Sequence, residues 1–580
     1  MRRVTVLVLL CVVVFSQALT AEELSQPIYE VIEELDVKVD MRDGVRLSTN
    51  IYRPDAEEAF PVILRRTPYG NDGTGNKNGH YWAKRGYTFV IQNTRGRFES
   101  EGIFYPLFYE ASDGFDTQEW IGHQKWCNGK IGTVGASYTG YTQWISAPLQ
   151  SKYLVTMAVL NSLANFYEGF YRQGAFRLRL WTWWGYMHTA PYTFDTTDIL
   201  RKLDNTNFSL PIIDQDSIIG WRVPFIRDML SHPSSDEYWG NMSIEGQHHN
   251  IQQPCLLAGG WFDLFFNETI SLYIKMASRG NKSMTKLIVG PWFHSYNPDG
   301  VSGDLQFGKE AILDSDTWNE QCLRWFDYRL KGKDAGIAEE PLVKIFVMGD
   351  NVWRFENEWP LARTMFTRFY FHSEGHANTQ SGDGFLSEQR PGQEPIDTYI
   401  YDPNSPAPST ADGLSFEFNA IYPKDHQRIE DREDVIVYST LPLSQDIEVT
   451  GPIKVILHAS SSAVNTDFTA KLCDVYPDGR SIRLCEGIIR ATHRNGNKEL
   501  SFIEQGKVYE YHIDLVATSN VFKKGHRIRV EISSSNFPRF DRNLNTSLNN
   551  ALATEMVTAT QTIYHDKDLP SCIVLPVIPR

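Results

Sequence analysis

Ile131-Gly-Thr-Val-Gly-Ala-Ser137-Tyr138-Thr-Gly140-Tyr141 opens with a short apolar run, Ile131 to Val134, that predicts the end of a buried strand. Gly135 permits a sharp turn, and Thr139 to Ala147 has the pattern of a helix stopped by Pro148. A serine on such a strand-to-helix turn is pushed out at the C-terminal edge of a sheet. The N–H of the following residue, Tyr138, then faces the place where an acyl oxyanion would form. The match to G-x-S-x-G is imperfect, because residue 139 is threonine and the second glycine is Gly140. Read alone, the stretch fits a nucleophile turn or an ordinary glycine-rich turn.

Working outward, the chain begins with Arg2-Arg3, an apolar run from Val4 to Phe15, and Ser16-Gln17-Ala18. This order is that of a secretory signal peptide, so residues 1–18 are expected to be removed and the protein to be secreted or periplasmic. The apolar run is too short to span a bilayer, so no membrane contact is expected once it is cleaved. The length calls for two to four domains. With 56 basic and 71 acidic residues the net charge is −15 at pH 7, a field that repels nucleic acid. Beyond the leader the cysteines are Cys127, Cys255, Cys322, Cys473, Cys485 and Cys572; no C-x-x-C pair points to zinc, and no metal is expected. Cys473 and Cys485 flank the turn Tyr476-Pro-Asp-Gly479, either bonded across a hairpin or as two unpaired strand cysteines. N-x-[ST] sequons occur at Asn207, Asn241, Asn267, Asn281 and Asn545.

Between Val37 and Val159 strands alternate with helices. Phe60 to Leu64 and Tyr87 to Ile91 are nearly continuous apolar strands, the kind buried on both faces, and Ser112 or Asp113 is placed to cap a helix carrying Phe115, Trp120 and Ile121. Residues 161–250 are rich in aromatics and short helical patterns, including Trp181-Thr-Trp183-Trp184-Gly-Tyr186. Strands resume at Pro254 to Ala258 and Lys286 to Val289. The simplest account is an α/β domain over 30–160 and 251–361 interrupted by a helical insert over 161–250. After residue 361 apolar residues fall two apart (Ile453, Val455, Leu457; Ile528, Val530, Ile532), so 362–580 is predicted to be a β-sandwich.

A nucleophilic Ser137 needs a histidine base and an acid that orients it. Beyond the strand at Pro254 comes Gly259-Gly260-Trp261-Phe262-Asp263, and beyond that at Lys286 comes Gly290-Pro291-Trp292-Phe293-His294. Serine, acid and histidine thus follow three successive strands in the order of an α/β-hydrolase. His248-His249 lack a third ligand at useful spacing and read as surface residues. Gly70 to Lys77 only approximates a phosphate loop.

Gly135-Ala-Ser137-Tyr138-Thr-Gly140, Gly260-Trp-Phe-Asp263, Gly290-Pro-Trp-Phe-His294 and Ser533-Ser-Ser-Asn536-Phe-Pro-Arg-Phe-Asp541-Arg-Asn543 together resemble the cocaine-esterase/X-Pro dipeptidyl-peptidase (CocE/NonD) hydrolases. The resemblance covers essentially the whole chain beyond the leader. It implies an α/β-hydrolase domain with an inserted helical cap and a C-terminal jelly roll. It also implies a second oxyanion donor, a tyrosine hydroxyl, which falls on Tyr69 in Arg65-Arg66-Thr67-Pro68-Tyr69. Asn93-Thr94-Arg95-Gly96 departs from the usual Asp-x-Arg-Gly at a position expected to support loop structure.

The expected activity is hydrolysis of a small-molecule acyl ester or amide through Ser137, His294 and Asp263, with Tyr69 and Tyr138 holding the oxyanion and no cofactor. Phe265 and Trp184 are the expected substrate contacts, and a homo-oligomer is compatible with the sequence. Within the family the alternatives are an α-amino-acid ester hydrolase or β-lactam acylase and an X-Pro dipeptidyl-peptidase; outside it, a catalytically inactive hydrolase fold acting as a binding module. An enzyme that requires a free α-amine must pair a buried ammonium with carboxylates. Asp263 is followed by Leu264, Phe265, Phe266 and Asn267, and Glu268 is expected to be carried off by the next helix, leaving Asp195 and Asp198 of the cap as the remaining acids. The sequence therefore favours uncharged acyl esters.

Overall fold

The computed structural model describes residues 23–190, 196–278, 285–410 and 422–580; the expected leader, Asp195 and the Asn281 sequon lie outside these. In chain order, β1 (Val31–Asp40), β2 (Arg46–Pro54), β3 (Phe60–Thr67), α1 (Thr74–Ala83), β4 (Thr88–Asn93), α2 (Glu110–Gly122), β5 (Cys127–Ala136), α3 (Tyr138–Ser146) and β6 (Leu154–Leu160) build the first half of a large sheet. The chain then leaves the sheet for α4 (Phe166–Phe170), the small hairpin β7 (Tyr171–Arg172) and β8 (Ala175–Phe176), α5 (Leu178–Thr189), α6 (Thr196–Thr206), α7 (Gln215–Ile219) and α8 (Pro224–Ser231). It returns through β9 (Cys255–Gly260), α9 (Phe266–Ala277) and β10 (Thr285–Gly290). A hairpin, β11 (Val301–Ser302) and β12 (Leu305–Gln306), precedes α10 (Ser315–Phe326), β13 (Val343–Val347) and β14 (Val352–Glu356).

The sheet has ten strands in the order β1-β2-β4-β3-β5-β6-β9-β10-β13-β14. The run from β4 to β13 is parallel, with antiparallel pairs at both edges. Both faces are covered, which is why the inner strands read as continuous apolar runs. Met157 and Val159 of β6 and Leu257 of β9 face the core shared with the insert, whereas Ala158, Leu160 and Leu256 face the core of Trp82, Trp318 and Phe326 from α1 and α10. The insert packs as aromatic on aromatic: Phe166 lies 4.7 Å edge-on from Trp181, and Phe170 5.6 Å from Trp239.

The C-terminal part is mostly sheet. Eleven strands, β15 (Met365–His372), β16 (Phe385–Ser387), β17 (Asp397–Tyr401), β18 (Ile436–Ser439), β19 (Ile447–Ser461), β20 (Asp467–Val475), β21 (Ser481–Arg490), β22 (Tyr509–Phe522), β23 (Arg527–Ser533), β24 (Ala559–Tyr564) and β25 (Cys572–Ile578), join in one hydrogen-bonded system. Its core includes Phe371, Tyr438, Val455, Phe468, Ile513 and Val530.

One local expectation is corrected, and the open reading of Cys473 and Cys485 is decided for the unpaired pair. Helix α2 begins at Glu110, so Ser112 and Asp113 lie inside its first turn; the Asp113 carboxylate is taken by Arg95 at 2.7 Å and is not a cap. Cys473 and Cys485 are not bonded: a bulge pairs Cys473 with Arg483 and Cys485 with Leu472, so the two sulfurs do not face each other across the ladder. Asn207, Asn267 and Asn545 are buried, which removes three sequons as acceptors in the folded chain, while Asn241 is exposed.

Candidate active site

The turn between β5 and α3 holds Ser137 at φ 55°, ψ −123°, a conformation that a side chain adopts only when its surroundings impose it. Here they do. The Ser137 N–H reaches the Leu160 and Asn161 carbonyls at 3.1 Å, and its own carbonyl accepts from Gly140 N–H, Tyr141 N–H and Ser162 Oγ, each at 2.9 Å. Thr139 Oγ1 is bonded to both the Ala136 N–H and the Ala136 carbonyl at 2.8 Å, so threonine is accommodated where the motif has its second glycine. The two glycines are steric necessities. A Cβ on Gly135 would stand 2.3 Å from Thr139 Oγ1, and one on Gly140 2.5 Å from Ser162 Cβ.

Asp263 and His294 arrive on the loops after β9 and β10, which are knitted together. Trp261 N–H donates to the Gly290 carbonyl at 2.9 Å and Phe262 N–H to the Trp292 carbonyl at 3.0 Å. A Cβ on Gly260 would come within 2.1 Å of that Trp292 oxygen. Asp263 Oδ1 accepts from the Phe265 N–H at 2.7 Å, and Oδ2 lies 2.6 Å from His294 Nδ1. His294 Nε2 is 2.8 Å from Ser137 Oγ. With Nδ1–H given to the carboxylate, Nε2 carries the lone pair and can accept the serine proton. The Asp263 side chain is sealed from solvent.

Tyr69 and Tyr138 approach from two sides. The Tyr138 N–H is the first of α3, where no intrahelical acceptor exists, and its phenol is spent elsewhere, accepting from Leu107 N–H and donating to the buried Glu110, both at 2.9 Å. Tyr69 has its hydroxyl beside Ser137 and accepts there from Trp184 Nε1 at 3.2 Å, which leaves its own proton to donate. Desolvation of the hydroxyl raises its pKa, so the phenol stays protonated. Arg97 fixes the Tyr69 loop against the insert through the Pro68 carbonyl at 2.9 Å and the His188 carbonyl at 2.7 Å.

Above these groups lies a cavity of about 320 Å³ whose walls are overwhelmingly aromatic and aliphatic. Trp184 and Phe265 both line it, Trp184 stacked on Tyr138 at 5.9 Å and Phe265 set edge-on to His294 at 5.1 Å. Trp181 and Trp183 of the same aromatic cluster share that wall with His188 and Phe166, which sequence reading missed. Trp181, Trp184 and His188 recur at helical spacing on α5 and form one stripe, the signal by which His188 could have been found. Burial holds the His188 imidazole below its ordinary pKa, so the cavity gains no positive charge from it at neutral pH. Glu268 faces away, into a separate polar cavity lined also by Glu168, Arg172, Lys275, Asn497 and Asp514. Asp198 has no described side chain.

His426, Cys473 and Glu531 form a buried cluster of potential metal ligands in the C-terminal part, but the Lys471 ammonium, 3.5 Å from the Glu531 carboxylate, already occupies the electrostatic place of a cation. His248 and His249 sit on a short surface turn.

The profile of the X-Pro dipeptidyl-peptidase (S15 family) matches residues 43–296, and that of the X-Pro dipeptidyl-peptidase C-terminal non-catalytic domain matches residues 335–574. The cocaine esterase of Rhodococcus sp. (strain MB1 Bresler) is 39% identical over 94% of this chain and 98% of its own. The chain belongs to the cocaine-esterase/X-Pro dipeptidyl-peptidase family of serine hydrolases. Among solved structures of this family's fold, an α-amino acid ester hydrolase superposes with a TM-score of 0.79 at 25% identity, covering 96% of this chain and 98% of the other. An aminopeptidase from a marine sediment Thaumarchaeota archaeon gives 0.78 at 25% identity with the same coverage. The family thus spans esterases and peptidases, and it makes this chain a hydrolase of small-molecule substrates, esterase- or peptidase-like. No helix among the described residues is long and apolar enough to cross a membrane.

Proposed function

We propose that the chain is a secreted carboxylesterase built as an α/β-hydrolase domain (30–160 and 251–361), a helical cap (161–250) and a C-terminal jelly roll (362–580). In this reading Ser137 attacks the acyl carbonyl while His294 Nε2 takes its proton. Asp263 holds the imidazole in the required tautomer and balances its charge. The Tyr69 hydroxyl and the Tyr138 N–H receive the oxyanion, the protonated His294 returns its proton to the leaving alcohol, and water repeats the sequence on the acyl-enzyme. The observation that carries the reading is the unbroken chain from Asp263 through His294 to Ser137, at 2.6 and 2.8 Å, on the floor of the aromatic cavity.

The same cavity supports the substrate class. Its described lining contains no carboxylate to pair an α-ammonium, and an unpaired buried charge is costly. An apolar cavity of about 150 Å³ already takes a benzene ring, so about 320 Å³ has room for a bulky uncharged acyl group. Matched substrates test this. Uncharged acyl esters are expected to be cleaved at least about tenfold better by kcat/KM than α-amino esters or Ala-Pro anilides, about 1.4 kcal/mol in transition-state binding. Ser137→Ala, correctly folded, should lose about three to six orders of magnitude in kcat on every substrate and escape fluorophosphonate labelling. Preference for free-amine substrates would move the assignment to the α-amino-acid ester hydrolases or X-Pro peptidases. Unchanged turnover by Ser137→Ala would end the mechanism, and a wild-type chain inert toward the label would be a binding module.

A further inference from the structure

Arg177 stands where the β7–β8 hairpin passes into α5, and its side chain reaches out of the cap to the loop after β9. It is 4% exposed. Its Nη1 donates to the Leu264 carbonyl at 2.7 Å, and its Nη2 lies 3.4 Å from the Glu168 carbonyl and 3.5 Å from Asn267 Oδ1. Leu264 is the residue immediately after Asp263. Its carbonyl belongs to the same planar peptide as the Phe265 N–H, and that N–H is the donor to Asp263 Oδ1 at 2.7 Å. One rigid amide therefore has Arg177 at its oxygen end and the Asp263 carboxylate at its hydrogen end. A rotation of that plane by either partner moves the other. A cation on the carbonyl also polarises the amide, making its N–H a stronger donor.

On this geometry we propose that Arg177 is a positioning residue that fixes the Asp263 carboxylate, and through it the His294 ring, by way of the Leu264–Phe265 peptide. The proposal rests on the serine-hydrolase reading above and adds a cap residue to it. Asp263 has only two oxygens to manage. Oδ2 must point at His294 Nδ1, and the orientation of the carboxylate about its own axis is set by what Oδ1 accepts. The Phe265 N–H does this, and the Asp263 N–H, bonded to the Gly260 carbonyl at 3.0 Å, anchors the other side of the turn. Phe265 is held twice by the same arrangement, because its ring packs edge-on against His294. Arg177 is buried against an acidic neighbourhood that includes Glu168, Glu268 and Asp263, and burial lowers its pKa to about 10, which leaves it charged at neutral pH. The cap is thereby wired to the catalytic loops below the cavity as well as around it.

A double-mutant cycle with Asp263 tests the proposal. Arg177→Met should lower kcat about 10- to 100-fold with KM changed less than about threefold, the scale expected when a catalytic group is displaced by about an ångström. Arg177→Lys, which can still donate to the Leu264 carbonyl, should recover most of the loss. In an Asp263→Asn background, Arg177→Met should cost less than about threefold more, because its target is already gone. Equal losses in both backgrounds would show that Arg177 supports the fold in general and would overturn the proposal, as would an Arg177→Met enzyme of wild-type kcat. If Arg177→Met does not fold, the same cycle run with Arg177→Gln decides by the same criterion. Loss of the serine-hydrolase reading is distinguishable, because it would appear as activity in Ser137→Ala whatever stands at 177.

Discussion

Tyr69 reaches Ser137 from a loop pinned by Arg97, and its hydroxyl is oriented by the Trp184 indole. Because the bond from Trp184 uses an oxygen lone pair, the Tyr69 proton is directed to whatever oxygen develops charge beside Ser137. Tyr69→Phe keeps the ring against Tyr138 and His188 and removes that proton alone. Steady-state kinetics should show kcat falling about 10²–10³-fold with little change in KM, the usual loss for one oxyanion donor. A rise in KM at constant kcat would make Tyr69 a binding residue instead. At this scale the sequence was legible where chemistry dictates residue type. Ser137, Asp263 and His294 stand together as their order after three strands implied, and Phe265 and Trp184 line the cavity above them. It was not legible where a neighbour distant in sequence sets the requirement. Nothing near Gly140 says that Ser162 will press against it, and nothing near Arg177 points to Leu264.

Glu268 belongs to the scale of the element. Helix α9 begins at Phe266 and turns Glu268 away from the acyl cavity into its own polar one, where it accepts from the Asn165 N–H at 3.2 Å. Burial and the nearby Glu168 carboxylate raise its pKa to about 7. The folded state thus prefers the protonated form more than the unfolded chain does. The contribution to stability is complete below the ordinary carboxylate value and is lost as pH rises through about 7, amounting to about 3 kcal/mol. Glu268→Gln should therefore match the wild type in urea denaturation near pH 4.5 and exceed it at pH 8. A gap of the same size at both pH values would assign the effect to packing. The strands between β3 and β10 were recognisable because burial on both faces leaves a continuous apolar run, whereas the start of α2 was not. Its first acid, Glu110, is drawn inward to Arg66 at 2.6 Å, and the residues that looked like caps serve other partners.

For the whole molecule, the decisive contacts join segments far apart in the chain. Arg490 pairs with Asp467 and Asp541 at 2.9 Å each, and Asp541 also accepts from the Phe176 N–H of β8 at 2.8 Å. The motif around Asp541, read in the sequence as a family signature, thus binds the C-terminal sheet to the insert that carries β8. Arg490→Met would leave two buried carboxylates without their cation and should cost about 3–5 kcal/mol. All fifteen tryptophans precede residue 362, so tryptophan fluorescence reports on the part built around the ten-stranded sheet and its insert. If the junction ties the molecule into one cooperative unit, the fluorescence transition and the β-sheet transition seen by circular dichroism should shift down together in Arg490→Met. A β-sheet transition that moves while fluorescence stays fixed would show independent units.

The short distance between Arg177 and Trp181, one helical turn, has a bearing on how such an enzyme diversifies. Trp181, Trp183 and Trp184 form much of the cavity wall, and all ride on the helix whose first turn follows the arginine that holds the catalytic loop. A lineage that recruits a new acyl group by reshaping α5 carries the turnover determinant along in the same few codons. Wholesale replacement of that helix changes what is accepted and how fast it is processed at once, whereas substitutions that start at Trp181 and spare Arg177 leave rate and selectivity free to drift apart.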